Sequence, residues 1–577
     1  MQGAAPTTPD RPRSPLRVIL VGTSSSVRQL DHALAGLDLP PHVLGCVLPA
    51  ADAGPPRSGR GPGRVPAQSA GARSRKERDT CPVLGRWVDA ATLATAHEVD
   101  QVLVSVPAVM ADATRQLTAE LDDAGVTWRA LPTLDDQLVT PPAGQASGVV
   151  DPASLLDRAP HALDEAAIAR CIATACVLIT GAGGSIGSEL ARIAARFKPA
   201  RLVLVERSEN ALFQIDGELA ASHPHLHRRA VLHDVTHRAG TFELIAEHRP
   251  HIILHAAAHK HVPMMEDHPA QAVENNFYGS RAIADAADHH GVDRLVMIST
   301  DKAVNPSSVM GATKRLAELY IQDLAQRSAT VFSMVRFGNV LGSACSVLPI
   351  WAQQLARGGP LTVTHPQMSR YFMTIPEAAG LVLQAGALSE GGEIFLLDMG
   401  EPVRIVDLAE RFIRAHRLEP GIDVDVVFTG IRPGEKLHER LAYDGEDMAR
   451  TSHASIHIWR PATPVIDVPP ALDVTPATVV PRRARQAGAD VAGRVRPAGR
   501  HAPSPAPARV PAPRVASDEI AAAVAMFDRL RGGRGDPAYP WHGVDRDAIV
   551  AALRRAIPEM AGPRAAFIAG SVSAKAG

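Results

Sequence analysis

The residues with the strongest claim on chemistry lie in one stretch, Ser299-Thr-Asp-Lys-Ala-Val-Asn-Pro-Ser-Ser-Val-Met-Gly-Ala-Thr-Lys314. Thr300, Asp301 and Lys302 set a hydroxyl, a carboxylate and an amine side by side. They follow an apolar run, Leu295-Val-Met-Ile298, that reads as a buried parallel strand. A helical pattern from Ala312 to Gln326 comes next. The polar trio therefore stands where a strand ends, the edge at which open α/β sheets bind ligands. Met310 and Lys314 are four residues apart at the next helix and share a face. Solvated charge would explain any one of these residues. An acid, two amines and a hydroxyl converging on one crevice instead suit proton transfer.

The elements before and after this stretch have to position it. A strand, Cys176–Thr180, runs into Gly181-Ala-Gly-Gly-Ser-Ile-Gly187 and then a helical pattern from Ser188 to Phe197. Gly181, Gly184 and Gly187, with Ser185 and Ile186 between them, form a turn that aims backbone amides and a helix N-terminus at a pyrophosphate. The next strand, Arg201–Glu206, ends in an acid placed to accept from a ribose 2′-hydroxyl, which favours NAD. Arg207 beside it leaves NADP open. Asp234 and Val235 close a third strand, where Asp234 can accept from an adenine amino group. A fourth strand, His251–Ala258, ends in Ala256, Ala257 and Ala258, small enough for a cofactor to lie against the backbone. Asn275 opens a helix through Ala287, and Asn276 joins the cofactor set. The histidines at 255, 259, 261 and 268 fit no common zinc spacing, so no metal is expected. Val331–Gly342 is a sixth strand with a polar exit at Asn339, and Arg370–Glu377 is a loop entering a helix. Arg432-Pro-Gly-Glu-Lys436 is a charged turn suited to phosphate and ribose hydroxyls.

The rest of the 577 residues bounds the answer. With 60 basic against 61 acidic residues, the balance gives no signal for nucleic acid or an anionic membrane. Five scattered cysteines read as reduced thiols in a cytoplasm. No signal-peptide core appears at the N-terminus, and no stretch reaches the roughly 18 apolar residues of a membrane span. Strands at Leu16–Gly22, Val43–Leu48, Val102–Pro107 and Val126–Leu131, with helices at Val27–Leu37 and Ala111–Ala124, make residues 15–140 a small Rossmann-like unit. Its first turn, Gly22-Thr-Ser-Ser-Ser-Val-Arg28, has one glycine where a phosphate loop needs several. A structural or regulatory role is expected of that unit. Residues 51–80 read as a flexible insertion and 141–175 as a connector with a helix at Glu165–Ala173. Residues 176–459 form the NAD(P)-binding domain, and 460–517 are a disordered Pro/Ala/Arg-rich linker. Within 518–562, two amphipathic helices, Asp518–Leu530 and Asp545–Ile557, are expected to pack back onto that domain. Residues 1–14 and 563–577 are expected to be disordered. The fold class is α/β, with two Rossmann-like parallel-sheet domains.

The second domain resembles the extended short-chain dehydrogenase/reductase superfamily. Within it, the similarity is to polysaccharide-biosynthesis nucleotide-sugar 4,6-dehydratases, which typically act on UDP-N-acetylglucosamine. The resemblance is carried by Thr180–Leu190, His255–Pro263, Ser299–Arg315, Val335–Ser343, Thr362–Pro366, Arg370–Glu377 and Arg432–Leu437, and covers about residues 150 to 455. The N-terminal unit is similar to the one in long family members, which usually begin with membrane helices that this sequence lacks. The Pro-rich stretch before the last helices and the Ala344-Cys345 turn depart from the family pattern.

The resemblance implies an extended fold with a small C-terminal substrate lobe, a UDP-sugar substrate, bound NAD and a homo-oligomer. It implies internal redox. Hydride leaves C4 of the sugar for the cofactor, water is eliminated across C5 and C6, and hydride returns to C6. In that scheme Asp301 is the acid for the C6 hydroxyl, and Lys302 is the base for C5. Lys314 depresses the Lys302 pKa and holds the nicotinamide ribose, while Thr300 hydrogen-bonds the C4 oxygen. Lys260, Asn339, Arg370, Arg432 and Glu435 face the substrate. Most relatives carry a tyrosine where this chain has Met310. A subgroup with methionine acts with retention at C5, so that Asp301 also serves C4, directly or through water. A nucleotide-sugar epimerase, which needs the tyrosine, and a non-catalytic nucleotide-sugar-binding scaffold are the alternatives.

Overall fold

A computed structural model describes residues 15–37, 40–49, 81–133, 150–156, 158–442, 447–460, 517–532, 541 and 543–560. The expected insertion 51–80, nearly all of the linker 460–517, and the termini 1–14 and 563–577 lie outside the described residues.

Five parallel strands form the first sheet: β1 (Arg17–Gly22), β2 (His42–Leu48), β3 (Val83–Arg86), β4 (Gln101–Ser105) and β5 (Trp128–Ala130), in the order β3-β2-β1-β4-β5. The apolar runs of β1 and β4 are covered on both faces, which is why they read as continuous rather than alternating. Helix α1 (Ser24–Ala35) begins three residues before the apolar pattern that suggested Val27. The Thr23 hydroxyl accepts from Ser26 N, and Ser26 Oγ returns to the Thr23 backbone, so serines that looked like loop form a reciprocal cap.

The second sheet holds β6 (Cys176–Thr180), β7 (Arg201–Glu206), β8 (Arg228–Leu232), β9 (Ile252–His255), β10 (Arg294–Ile298), β11 (Val331–Arg336) and β12 (Glu393–Leu397). These are parallel, in the order β8-β7-β6-β9-β10-β11-β12. The order reverses between β6 and β9, and that switch point opens a crevice at the carboxyl ends. β13 (Asp447–Arg450) and β14 (Ile456–Arg460) add an antiparallel edge that the sequence did not suggest.

Four helices position the site. α2 (Ser185–Arg196) follows β6, α3 (Gly279–His290) precedes β10, α4 (Val309–Ala325) follows it, and α5 (Ile375–Leu388) covers the opposite face. The expected helix at Asn275–Ala287 is instead a π-helical turn, Val273–Tyr278, continued by α3, with a positive-φ Gly291 at its end. α6 (Ser517–Gly532) and α7 (Arg546–Ala556) pack on the second domain. Phe527, Ile549 and Leu553 share an apolar cluster with Phe277 and Leu316. Tyr278 donates to Asp528 at 2.8 Å, and Trp541 to Glu274 at 2.8 Å.

The first unit does not stand apart. Its Ile19, Val21, Met110 and Leu117 share one cluster with Trp351, Leu355, Phe412 and Val424 of the C-terminal lobe. Among the described residues, no helix is long and apolar enough to cross a membrane.

Candidate active site

The β6 exit builds a cleft at the carboxyl edge of the sheet. Gly184 is the N-cap of α2 in extended conformation and makes no side-chain cap, so the helix starts at Ser185, not Ser188, and offers its amides. Gly187 is obligatory: a Cβ there would stand 1.9 Å from the Gly181 carbonyl oxygen. Gly187→Ala is therefore expected to open the turn and weaken dinucleotide retention, read as the cofactor absorbance of purified protein.

The cleft, ≈ 260 Å³, is lined by Gly181, Gly184, Glu206, Arg207, Asp234, Val235 and Ala256–Ala258 from the expected set. Sequence reasoning missed Gly183, Ala211, His233, His259 and Asn275, which also line it. Glu206 accepts from the Gly183 amide at 3.1 Å and from the Arg207 and Ser208 amides at 2.9 and 3.0 Å. Arg207 swings across the cleft, donating to Asn275 Oδ1 at 3.2 Å and His259 Nε2 at 2.5 Å. Burial, then the Arg207 charge, pushes the His259 pKa down.

Asn276 departs from the expectation. It is fully buried, and its amide spans the His259 backbone, accepting at 2.8 Å and donating at 3.1 Å. Its neighbour Asn275 is the one at the cleft. Ser185 and Ile186 are not among the residues lining it. Ser185 Oγ accepts from the Ala344 amide at 3.0 Å, and Ile186 packs partly into the core. Lys260 donates to the Ala344 carbonyl at 2.7 Å. The unusual Ala344-Cys345 turn thus bridges α2 and Lys260, with Cys345 in a glycine-type conformation at φ +55.

Thr300, Asp301, Lys302 and Asn339 form one hydrogen-bonded set at the end of β10. Asp301 is fully buried. Its Oδ1 accepts from Thr300 Oγ1 and from Lys302 Nζ, each at 2.9 Å, while Oδ2 is buried with no partner. Lys302 Nζ also donates to Asn339 Oδ1 at 2.9 Å, so Asn339 positions the amine. The first turn of α4, capped by Ser308, lies against the Lys302 peptide. A Cβ on Gly311 would stand 2.2 Å from the Lys302 carbonyl oxygen. Met310, in that turn, is buried within the apolar cluster.

The Lys314 pKa is depressed to about 8, with burial the first cause; Glu318 opposes it. His255, between Thr180 Oγ1 at 2.7 Å and Ser280 Oγ at 2.9 Å, is held neutral by burial and then by Lys314, with a pKa of about 3. Glu318, one turn beyond Lys314, was missed. It takes Arg336 in a two-point pair at 2.8 and 2.6 Å and accepts from Ser299 Oγ at 2.6 Å. Burial raises its pKa, but Arg336, Arg315 and Ser299 outweigh that and hold it low. The guanidinium groups of Arg336 and Arg315 stand 5.0 and 5.2 Å from the Trp459 ring centre on β14. This buried pair ties α4 to β10 and β11, whereas in sequence Glu318 looks like an ordinary helix polar residue.

Arg370 differs from its expected role. It is buried and donates to the carbonyls of Ser369, Leu437 and Lys436 at 2.7, 3.1 and 2.8 Å, so it pins the Arg432–Lys436 turn. Within that turn Arg432 pairs with Glu435 at 2.6 Å and is exposed. Lys436 donates to the Val304 carbonyl at 2.8 Å and Ser307 to the Gly434 carbonyl at 3.1 Å, joining the turn to the segment after Asp301. Among the described residues, no group of three His, Cys, Asp or Glu could hold a metal ion.

The family model described as "Polysaccharide biosynthesis protein" matches residues 177–461. A relative in Bacillus subtilis (strain 168), "Probable polysaccharide biosynthesis protein EpsC", is 45% identical over 66% of this chain and 63% of its own length. This chain thus spans less than two thirds of that relative. A "UDP-N-acetylglucosamine 4,6-dehydratase (inverting)" of Campylobacter jejuni subsp. jejuni serotype O:2 is 33% identical over 46% of this chain and 76% of its own. The chain belongs to the polysaccharide biosynthesis protein family. A "UDP-glucose 4-epimerase" of Rickettsia canadensis is also 33% identical, over 48% of this chain and 79% of its own. The nucleotide-sugar relatives of this family member therefore carry both dehydratase and epimerase names.

Proposed function

We propose that the chain is an NAD-dependent nucleotide-sugar 4,6-dehydratase acting on a UDP-N-acetylhexosamine, with UDP-N-acetylglucosamine the favoured substrate. The observation that carries this reading is the buried Asp301–Lys302 pair, with Asp301 Oδ2 left without a partner. A carboxylate 2.9 Å from an ammonium can exchange one proton with it, giving a neutral amine and a carboxylic acid together. The C4 hydroxyl gives its proton to solvent through water as its hydride leaves. Lys302 takes the C5 proton, Asp301 delivers its own to the departing C6 hydroxyl, and Lys302 returns a proton to C5 as hydride returns to C6. Thr300 donates toward the C4 oxygen. Met310 argues against the epimerase reading, because a buried thioether takes up no proton.

The cleft suits NAD. The amides of Gly184–Gly187 at the start of α2 would hold a pyrophosphate, and the alanines after β9 leave room beside the backbone. Glu206 meets three amides, and a carboxylate has about four acceptor sites, so one remains for a ribose hydroxyl. Arg207 is engaged by Asn275 and His259, which disfavours NADP. When bound, NAD supplies the hydride acceptor and donor.

The test is incubation with UDP-N-acetylglucosamine in deuterated water. A 4-keto-6-deoxy product with deuterium at C5 is expected. A C4 epimer would establish the epimerase instead, and binding without turnover would leave a scaffold.

A further inference from the structure

In a dinucleotide fold, the N-terminus of the helix after the first strand takes the pyrophosphate. In the first unit that place is filled from within the chain. Ser24, the first residue of α1, donates its backbone N–H to Asp423 Oδ1 at 2.5 Å and its hydroxyl to Asp423 Oδ2 at 2.9 Å. Asp423 is fully buried, and its Oδ2 also accepts from the Glu419 amide at 2.9 Å. Arg28, further along α1, pairs with Glu419 at 2.8 Å. A carboxylate on the positive end of a helix occupies the position a phosphate would otherwise take. The contact sits on a shared apolar core, since Val424 and Leu418 pack in one cluster with Ile19 and Val21.

The segment held there leads straight to the substrate side. The Asp425 carbonyl accepts from Leu361 N at 2.8 Å, and the short strand Val426–Phe428 pairs with Leu361–Val363. Arg432 follows four residues beyond that strand. Arg370, Lys436 and Ser307 hold the far side of the Arg432–Glu435 turn, and Asp423 anchors the strand that enters it.

We propose that the first unit is a positioning module: its vestigial phosphate seat grips Asp423 and so sets where Arg432 and Glu435 stand against the nucleotide of the sugar. Asp423 is a positioning residue, and the first unit takes no nucleotide of its own. The proposal rests on the reading of that turn as substrate-facing.

Ser24→Pro in the full chain is the sharpest test. It removes both donors at the one helical position where proline is well tolerated. Thr23 before it already has φ −79 and ψ 163, the extended conformation a following proline requires. Asp423→Asn is the second variant, keeping shape while removing the charge. In both, amide exchange across residues 426–436 is expected to quicken. KM for UDP-N-acetylglucosamine should rise about fivefold with kcat within about twofold, the signature of lost binding rather than lost chemistry. Bound NAD should stay at one per wild-type chain. Unchanged exchange across 426–436, faster exchange with unchanged KM, or a second NAD per wild-type chain would overturn the proposal. If the wild-type chain does not turn the sugar over, the substrate reading fails, and the exchange comparison still decides whether Ser24 holds this segment.

Discussion

Asp301→Asn is expected to lower product formation by about a thousandfold, within the range for removing one acid–base group, and to leave bound NAD unchanged. The substitution is nearly isosteric. An amide oxygen at the Oδ1 position still accepts from Thr300 and Lys302, and Lys302 keeps Asn339. The proton is what disappears. At the Oδ2 position, buried and without a partner, an amide nitrogen neither ionises nor delivers an acidic proton. Because the Asp301–Lys302 pair would generate acid and base in one exchange, losing either end should stop the elimination. Full activity in the variant, measured as 4-keto sugar formed per NAD-loaded chain, would sink the role given to Asp301.

Lys314→Met is expected to lower activity and to stabilise the fold, two effects in opposite directions from one buried amine. Lys314 is buried, and its pKa falls from 10.5 to about 8, chiefly through that burial. The unfolded chain therefore holds a proton that the folded chain releases between those values. By linkage, wild-type stability rises with pH from about 8 to about 10.5, and the full penalty applies below that window. The gap corresponds to at most about 3 kcal/mol. Methionine carries no such penalty, and Glu318 keeps its two-point pair with Arg336. The variant should melt several degrees above wild type at pH 7, with the difference shrinking as pH approaches 10.5. Turnover should drop by about a hundredfold, because Lys314 is the amine proposed to hold the nicotinamide ribose. A variant less stable than wild type at pH 7 would refute the electrostatic account, and retained turnover would refute the catalytic one.

The two experiments draw on information that was unequally visible in the chain. The glycine turn, Glu206 and the alanines after β9 were legible because each follows a strand, and local order alone fixes their place at the carboxyl edge. The Thr300-Asp301-Lys302 segment was legible for the same reason. Asn276 and Arg370 were not, since a buried amide on the His259 backbone and a buried guanidinium on three carbonyls look in sequence like ligand-binding residues. The choice between Asn275 and Asn276 at the cleft turned on a π-helical turn, a local winding with no pattern of its own in the residue types.

By itself, the sequence determined the two parallel-sheet units, the glycine turn and the strand-end trio, because hydrophobic periodicity and turn chemistry act over a few neighbouring residues. Only the tertiary structure decided three things. Glu318 and Arg336 brace α4 from beneath. Lys314 carries a burial-depressed pKa. Ser24 meets Asp423 across 399 residues of chain. Each depends on which apolar surfaces come together, and apolar burial is non-directional. No local pattern names the partner, and the polar contacts form only where packing happens to bring their atoms within reach.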